Sequence, residues 1–487
     1  MLSIACLELL SCLVVFHPTA NTVAAFAVAC AVGIIAYVRP TLACSIVGVE
    51  LMIGSKGALL KAFADTQNNG GASLRILIFL AFLIGWTIWA VKNKTYLDWW
   101  SYRKGRKIYF ILVGLILYAF LLGLVRGNGF LYADANAWGE WLLFLPVIDL
   151  VTHRQEKLRQ DIVPAIFAGL IWLLLETVAL FYFFSHGFSS TTANTVYLWV
   201  RRTGVGEVTR VVGNTFRVFL QSHIYAVVGA IFGMTWLGFR EEKSGTTYRN
   251  VWMLTTLFIS AIIISLSRSF WIGMFVALLM MAFVIWKNRR SSFAAWLKTS
   301  VAAGLSALLL VACALWFPIP HGGGNVSDLL LSRTDLSENA AMSRWKLLPA
   351  LWEKVSQHPI LGSGFGATVT FESSDPRIIQ TTGGVYTAYS FEWGWMDFWI
   401  KFGILGIPIL FSVLLCLGWR LARASLPFWL KWAAIFVLIA IGSIHFFTPY
   451  LNHPLGIGIL LAFEGLVQFA HLKEPKQGVS ADALAHA

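Results

Sequence analysis

Four arginines are the side chains of this sequence best suited to bind an anionic ligand: Arg210, Arg217, Arg268 and Arg344. Arg268 stands in a short polar break, Ser267-Arg268-Ser269, between two apolar runs. The guanidinium group is a planar fork of donors that stays charged and fits phosphate oxygens. The four arginines therefore indicate a phosphate-bearing ligand. The alternative is binding to lipid headgroups or extension from helix ends, which we favour for the neighbouring Arg201 and Arg202.

A second chemical candidate is the carboxylate of Glu392, which lies with Asp397 where a long polar segment enters an apolar run. A carboxylate in that position can serve as general base for an acceptor hydroxyl. It can equally be an acidic residue at a helix N-terminus, where the helix dipole stabilises negative charge. The sequence leaves both interpretations open.

Five further carboxylates lie inside or beside apolar runs: Glu8, Glu50, Glu140, Glu176 and Glu464. Charge in lipid is costly, so such residues are functional candidates by default. Because they are scattered over different predicted helices, we interpret most of them as buried structural groups that are paired or protonated. His445 and His453 lack carboxylate or cysteine partners at metal-ligand spacing, so we predict no metal site.

The elements that must position these residues are membrane helices. Of 487 residues, 58% are apolar or aromatic and 13% are charged, whereas soluble domains carry about 25% charged residues. We predict an all-α polytopic membrane protein, a single membrane domain over residues 1–487, with about 12 to 14 transmembrane helices. The candidate spans lie near 2–16, 22–38, 42–60, 75–91, 108–126, 139–152, 162–185, 219–239, 251–266, 270–286, 299–317, 396–417, 428–446 and 455–470.

Lysines and arginines concentrate on alternate connections between these spans, near 92–107, 154–159, 240–249, 287–298 and 420–431. Cytoplasmic connections of membrane proteins carry such an excess of basic residues. The net charge of +13 therefore follows from topology and does not indicate nucleic-acid binding. The alternation predicts a bacterial inner-membrane protein with both termini in the cytoplasm and outer connections at 127–138, 186–218, 267–269, 318–395 and 447–454.

Residues 318–395 form the large predicted periplasmic loop, which is far longer than ordinary connections. After Ser343, apolar residues recur at helical spacing until His358-Pro359, which predicts a short amphipathic helix lying on the membrane. Gly362, Gly364 and Gly366 follow this helix. They lack the preceding strand and the spacing of a nucleotide-binding loop, so we interpret them as a turn.

Three motifs stand in a characteristic order. The first is Arg210-Val211-Val212-Gly213, and the second is Ser265-Leu266-Ser267-Arg268 between two apolar runs. The third comprises Arg344-Trp345, residues 358–366 and Lys401-Phe402-Gly403. In sequence and order these motifs resemble the O-antigen ligase and O-antigen polymerase superfamily of bacterial membrane glycosyltransferases, over an O-antigen ligase-like region of roughly residues 205–417.

One position departs from the pattern of that family. Many of its ligases carry a His-Asn pair about eleven residues before the glycine that corresponds to Gly403, and this sequence has Glu392-Trp393 there. The resemblance therefore leaves ligase and polymerase activity open. It also leaves open whether Glu392 replaces the histidine.

The resemblance implies an enzyme that transfers or polymerises a glycan from a polyprenyl-diphosphate donor at the periplasmic face, in surface polysaccharide or exopolysaccharide synthesis. Arg210, Arg217, Arg268 and Arg344 would hold the diphosphate, and Glu392 would be the base. The donor is already activated, so the protein need supply only orientation, charge stabilisation and a base, without metal or cofactor. The implied partners are the lipid-linked donor, a glycan or lipid acceptor, membrane lipids and polysaccharide export machinery.

Two other classes of membrane protein could use the same residues for a different purpose. A transporter or flippase for a lipid-linked glycan would also bind phosphate through arginine, but it should show inverted repeats and polar groups at the membrane midplane. The outward gathering of the candidate residues favours an enzyme. A non-catalytic scaffold for polysaccharide export is the third class, and the missing His-Asn pair is compatible with it.

Overall fold

The computed structural model describes residues 1–63, 71–103, 106–212, 215–240, 245–318, 339–373 and 376–473. Most of them are helical. In chain order the α-helices are α1 (Leu2–Val14), α2 (Pro18–Val38), α3 (Pro40–Ile53), α4 (Leu74–Lys92), α5 (Lys107–Val125), α6 (Leu131–Ala135), α7 (Phe144–Ser185), α8 (Ser190–Thr203), α9 (His223–Phe239), α10 (Thr246–Ser265), α11 (Arg268–Asn288), α12 (Arg290–Trp316), α13 (Asn339–Gln357), α14 (Pro376–Thr382), α15 (Gly394–Phe402), α16 (Gly406–Arg423), α17 (Phe428–His445) and α18 (Pro454–Lys473).

Short strands and 3₁₀ helices connect some of these elements. The strands pair as three antiparallel hairpins, β1 (Lys61–Ala62) with β2 (Ala72–Ser73), β3 (Gly206–Val212) with β4 (Thr215–Leu220), and β5 (Val369–Glu372) with β6 (Val385–Ala388). The 3₁₀ helices cover Thr95–Arg103 and Asn136–Leu143.

The predicted fold class is confirmed. Within the described part of the chain, ten helices are long and apolar enough to cross a membrane. The predicted number of 12 to 14 spans is reached only with three shorter apolar helices, Leu2–Val14, Pro40–Ile53 and His223–Phe239. Large apolar side chains such as Leu13, Ile34, Leu121 and Leu309 point outward from the bundle, as expected for a lipid-facing surface.

Small residues allow neighbouring helices to pack closely. A side chain at Gly85 of α4 would collide with the backbone oxygen of Gly33 in α2, and the Cβ atom of Ala36 lies beside the same point. Membrane helices have no hydrophobic driving force between them, so close backbone approach supplies the packing energy. Prolines occupy the first positions of α2 and α3. Proline suits this position, because the N–H group that it lacks would have no partner within the helix.

Three predicted spans are interrupted or bent in the structure. The predicted span 396–417 is wrong, because the chain breaks at Gly403 between α15 and α16. Gly403 has φ +71°, and a side chain there would collide with the carbonyl oxygen of Ile360. The predicted spans 139–152 and 162–185 appear as a 3₁₀ turn followed by α7, which bends at the non-helical Arg154 (φ −136°).

The loop after α7 also contains structure that the sequence analysis missed. Residues 186–218 were predicted as an outer connection, and they form α8 and most of the β3–β4 hairpin. In that hairpin Thr209 pairs with Arg217 and Arg210 pairs with Phe216. The tip, Gly213-Asn214, lies outside the described residues.

The long outer loop is anchored on the membrane domain by its glycine turn. The predicted amphipathic helix is present as α13, and the predicted turn at Gly362, Gly364 and Gly366 is present, with positive φ at all three residues. Asn128 donates hydrogen bonds from Nδ2 to the carbonyl oxygens of Phe365 (2.7 Å) and Ser363 (3.1 Å). The loop has a small core of its own with α15, formed by Leu347, Leu351, Val355, Ala367, Val369, Phe391 and Ile400.

Candidate functional site

Arg268 is the first residue of α11, directly after a tight turn. Leu266 ends the preceding helix in a left-handed conformation (φ +48°), and Ser267 precedes Arg268. The Oγ atoms of Ser267 and Ser269 lie 3.0 Å apart. The side chain of Ser267, the N-cap residue, makes no capping hydrogen bond, so it leaves the first-turn N–H groups of α11 at the positive end of the helix dipole.

Arg217 is fixed to the turn that carries Arg268. Its Nε atom donates a 2.8 Å hydrogen bond to the carbonyl oxygen of Ser265, the last residue of α10. Its guanidinium carbon lies 4.7 Å from the ring centre of Phe219. The structure therefore brings Arg217 to the turn that carries Arg268, although the two arginines are 51 residues apart in sequence.

Arg210 projects from the other side of the hairpin. Thr209 is paired with Arg217, and neighbouring residues of a strand point to opposite faces, so Arg210 and Arg217 emerge on opposite faces. The Arg210 side chain is exposed. The hairpin therefore does not bring these two predicted diphosphate ligands to the same face.

Arg344 and Glu392 form an ion pair between Arg344 Nε and Glu392 Oε2. The pair is partly open to solvent, with 34% of the Arg344 and 54% of the Glu392 side chain exposed. The indole Nε1 of Trp393 donates a 3.0 Å hydrogen bond to the Arg344 carbonyl oxygen. The predicted base and one predicted diphosphate ligand are thus partners of each other.

The segment 446–453, between α17 and α18, lies between these two pairs of residues. Thr448 donates from Oγ1 to Oγ of Ser269 (2.9 Å), beside Arg268. The rings of Phe447 and Trp393 lie 5.7 Å apart, beside Glu392. One short segment therefore contacts both the arginine turn and the end of the long loop.

A buried cluster of charged side chains joins α15, which follows the long loop, to Asp134 of α6. Lys401 of α15 lies 2.5 Å from Asp134 Oδ1 and 2.8 Å from Asp397 Oδ2, and all three side chains are at most 5% exposed. Burial raises the pKa of Asp397 to about 6, although Lys401 opposes this shift. Burial lowers the pKa of Lys401, but the two carboxylates outweigh it and raise that pKa above its ordinary value. Asp397 was one of the predicted acids, whereas its partners Lys401 and Asp134 were not singled out.

A cavity of about 330 Å³ opens near this cluster. Its wall is built from the turn after α3, the start of α4, residues 133–140, Tyr389-Ser390 and the segment 449–454. Of these, residues 133–138, Tyr389-Ser390 and 449–454 lie in predicted outer connections, whereas the turn after α3 and the start of α4 were not predicted to be there. Arg75 and Glu50 form a bidentate pair at its edge, with Nε–Oε2 2.7 Å and Nη2–Oε1 3.1 Å.

The intramembrane carboxylates mostly behave as interpreted from the sequence. Glu464 accepts from Arg420 (2.6 Å) and Tyr109 (2.5 Å), and Glu8 accepts from Trp172 (2.6 Å). Glu50 is paired with Arg75. Glu140 and Glu176 differ. Both carboxylate oxygens of Glu176 and the Oε1 atom of Glu140 are buried without a hydrogen-bond partner within the described chain, and Glu140 also lines the cavity.

Comparison with known proteins agrees with the motifs. The family model described as O-antigen ligase matches residues 253–411. The matched region includes Arg268, Arg344, Glu392 and the glycine turn, whereas Arg217 and most of the cavity wall lie outside it. No curated protein matches the chain.

Proposed function

Since this chain belongs, through residues 253–411, to the O-antigen ligase superfamily, we propose that it transfers or polymerises a glycan from a polyprenyl-diphosphate donor. The reaction would take place at the periplasmic face of the bacterial inner membrane, with both termini in the cytoplasm. The observation that carries the proposal is the attachment of Arg217 to the turn of Arg268, at the N-terminus of α11.

This attachment suits a diphosphate. Arg217 is bonded to the turn that leads into Arg268, the first residue of a 21-residue helix, and guanidinium groups and helix N-termini both favour phosphate oxygens. We assign Arg217 and Arg268 to the centre of the donor site and Arg344 to its outer-loop side. Arg210, exposed on the other face of the hairpin, is a peripheral ligand in this arrangement.

The reaction needs a leaving group and a proton acceptor. The oxygen of the acceptor hydroxyl forms a bond to the anomeric carbon of the donor sugar, while the bond from that carbon to the phosphate oxygen breaks. The bonding electrons leave with the polyprenyl diphosphate, whose developing charge the arginines stabilise. The hydroxyl proton passes to Glu392.

The ion pair between Arg344 and Glu392 means that the donor binds before Glu392 can accept the proton. A diphosphate carries more negative charge than one carboxylate, so it displaces Glu392 as the partner of Arg344 when the donor binds. Glu392 is then free to accept the acceptor proton. Because the pair is partly exposed, its separation costs little, about 0–1 kcal/mol.

The test is complementation of a deletion strain with the wild-type protein, Arg268→Ala, Glu392→Gln or Arg202→Ala at matched expression. Arg202 is a suitable control, because it lies on α8 in the same predicted outer loop, stacked on Phe16 at 5.1 Å and away from the proposed site. We expect lipid-diphosphate glycan to accumulate and surface polysaccharide to be lost with the first two variants alone. The products in the same strains distinguish a polymerase from a ligase. Loss of a polymerase should give short glycan chains, whereas loss of a ligase should leave full-length chains that are not attached to their acceptor.

Full rescue by both Arg268→Ala and Glu392→Gln would contradict the proposed site. It would favour a transporter or flippase, or a scaffold of the polysaccharide export machinery. A scaffold would be distinguished by restored export without any change in the lipid-linked glycan pool.

A further inference from the structure

The wall of the 330 Å³ cavity does not include the turn that carries Arg268, and it contains carboxylates as well as basic side chains. Its polar wall is supplied by Lys56, Arg75, Asp134, Asn136, Glu140 and His453. Ligand sites commonly have volumes of ~300–1,000 Å³ with a few convergent polar groups. The cavity is thus of the size of a small ligand and is lined by both hydrogen-bond donors and acceptors.

The acceptor side of the cavity is Glu140. This residue is 5% exposed, and its Oε1 atom is buried without a hydrogen-bond partner among the residues that the structure describes. A buried polar atom without a partner costs about 1–3 kcal/mol, more if charged. A ligand that donates a hydrogen bond would remove this cost.

The donor side of the cavity is formed by Lys56 and His453. The Lys56 side chain is 51% exposed and lies 3.8 Å from Glu207, at the limit of an ion pair. His453 accepts the N–H of Leu455 at Nδ1 (3.3 Å). Burial, with the nearby charges of Arg75 and Lys56, lowers the pKa of His453 to about 3. His453 is therefore neutral near pH 7, and its Nε2 carries the hydrogen that can be donated.

This arrangement does not suit a diphosphate. Arg75 already engages Glu50 through two of its nitrogens, and the carboxylates of Glu140 and Asp134 line the same wall. Asp134 is itself paired with Lys401, so the wall is close to neutral and offers a multiply charged anion little attraction. Hydroxyl groups, in contrast, donate to carboxylates and accept from lysine and histidine.

We propose that this cavity binds a sugar ring, with Glu140 accepting a hydrogen bond from one of its hydroxyls and Lys56 and His453 donating to others. Tyr389 contributes an aromatic edge, held by stacking on Phe130 with ring centres 4.8 Å apart. Glu140 is a positioning residue in this proposal, because it holds the sugar and does not contact the reacting bond.

The place of the sugar in the reaction rests on the function proposed above. Tyr389 and Ser390 line the cavity only two or three residues before Glu392. The segment that carries His453 also contacts the arginine turn through Thr448. The bound sugar is therefore either the acceptor or the first sugar of the donor. Both have the same hydroxyl chemistry.

The test measures binding and does not require activity. The probe is the free repeat-unit oligosaccharide, without phosphate or lipid, prepared from the surface polysaccharide of the source bacterium. Calorimetric titration of the full-length protein in detergent should detect binding by the wild type and by Arg202→Ala. Glu140→Gln keeps an acceptor oxygen but removes the carboxylate, so it should weaken binding about 10-fold, the difference between a hydrogen bond to a charged acceptor and one to a neutral acceptor.

A second variant keeps the test decisive if Glu140→Gln folds poorly. Ala133→Trp places a bulky ring in the cavity mouth from an exposed position and leaves every polar group in place, so it should abolish binding. Wild-type affinity in both variants, or no binding by the wild type, would overturn the proposal.

Repeating the titration in the presence of the lipid-diphosphate donor shows whether the bound sugar is that of the acceptor or that of the donor. Competition would identify the site as that of the donor sugar, and simultaneous binding would identify the acceptor. Oligosaccharide binding without any glycan transfer would refute the proposed function alone. Transfer without cavity binding would refute the sugar site alone.

Discussion

Asn452 donates a hydrogen bond from Nδ2 to Oδ2 of Asp397, over 2.7 Å. This bond ties the segment 446–453 to α15, and through Lys401 to Asp134 at the wall of the cavity. The arginine turn, the buried charge cluster and the cavity are therefore linked through one connection between α17 and α18. Changes at this connection should affect all three regions.

Replacing Arg217 with lysine should reduce glycan transfer about 10- to 100-fold, although the charge is kept. Lysine cannot reproduce the Nε hydrogen bond to the Ser265 carbonyl oxygen or the stacking on Phe219. The measurement is transfer to acceptor by purified protein, with Arg202→Lys as the control. Wild-type transfer by Arg217→Lys would show that a charge at this position is sufficient.

Replacing Lys401 with methionine should lower the free energy of unfolding by about 3–5 kcal/mol, because two buried carboxylates lose their cation. The control is Glu156→Gln, which removes an exposed ion pair with Arg159 and should change stability by less than about 0.5 kcal/mol. Denaturant unfolding in detergent measures both. Equal stability of the two variants would show that the carboxylates of Asp134 and Asp397 do not depend on the charge of Lys401.

Acidification should destabilise the protein partly through His453. The pKa of His453 is lowered from its ordinary 6.5 to about 3 in the folded protein, so the unfolded chain takes up a proton first as the pH falls. This contribution to stability is complete above about pH 6.5 and is lost between about pH 6.5 and pH 3. The unfolding midpoint of His453→Gln should therefore fall less than that of the wild type between about pH 7.5 and pH 5. Parallel pH curves would contradict the assignment.

Gly403→Ala should destabilise the protein by about 2 kcal/mol or more. The backbone is left-handed there, and the new methyl group would collide with the Ile360 carbonyl oxygen. Gly304→Ala in α12 is the matched control, since a Cβ atom there meets nothing within 4 Å and should stabilise the helix by about 0.5–1 kcal/mol. Loss of stability in both variants would point to a general intolerance of alanine.

The membrane helices and the serine-arginine turn could be predicted from the sequence, because both depend on local signals. Apolar runs of spanning length lie between basic connections, and Arg268 interrupts two such runs. The β3–β4 hairpin was missed, although Val208, Phe216, Val218 and Leu220 show the two-residue alternation of strands around Gly213-Asn214. A hairpin signal in a membrane protein is easily hidden by the stronger hydropathy of its neighbours.

The cavity could not be predicted from the chain alone. Lys56, Arg75, Glu140 and His453 come from four separate elements, and no local spacing relates them. Glu140 and His453 were both considered in the sequence, Glu140 because a carboxylate in a membrane is costly, but nothing in the sequence connected them. The ion pair of Arg344 with Glu392 was equally hidden, since the partners are 48 residues apart.

The contact between Lys401 and Asp134 also bears on how the chain is assembled during synthesis. The two residues are 267 positions apart, and a ribosome adding about 5–20 residues per second needs roughly 15–50 s to cover that distance. Throughout that interval the early helices stand in the membrane without the lysine that neutralises Asp134. The Asp134 contact is therefore completed only when α15 has been made, so the membrane domain reaches its final packing late in synthesis.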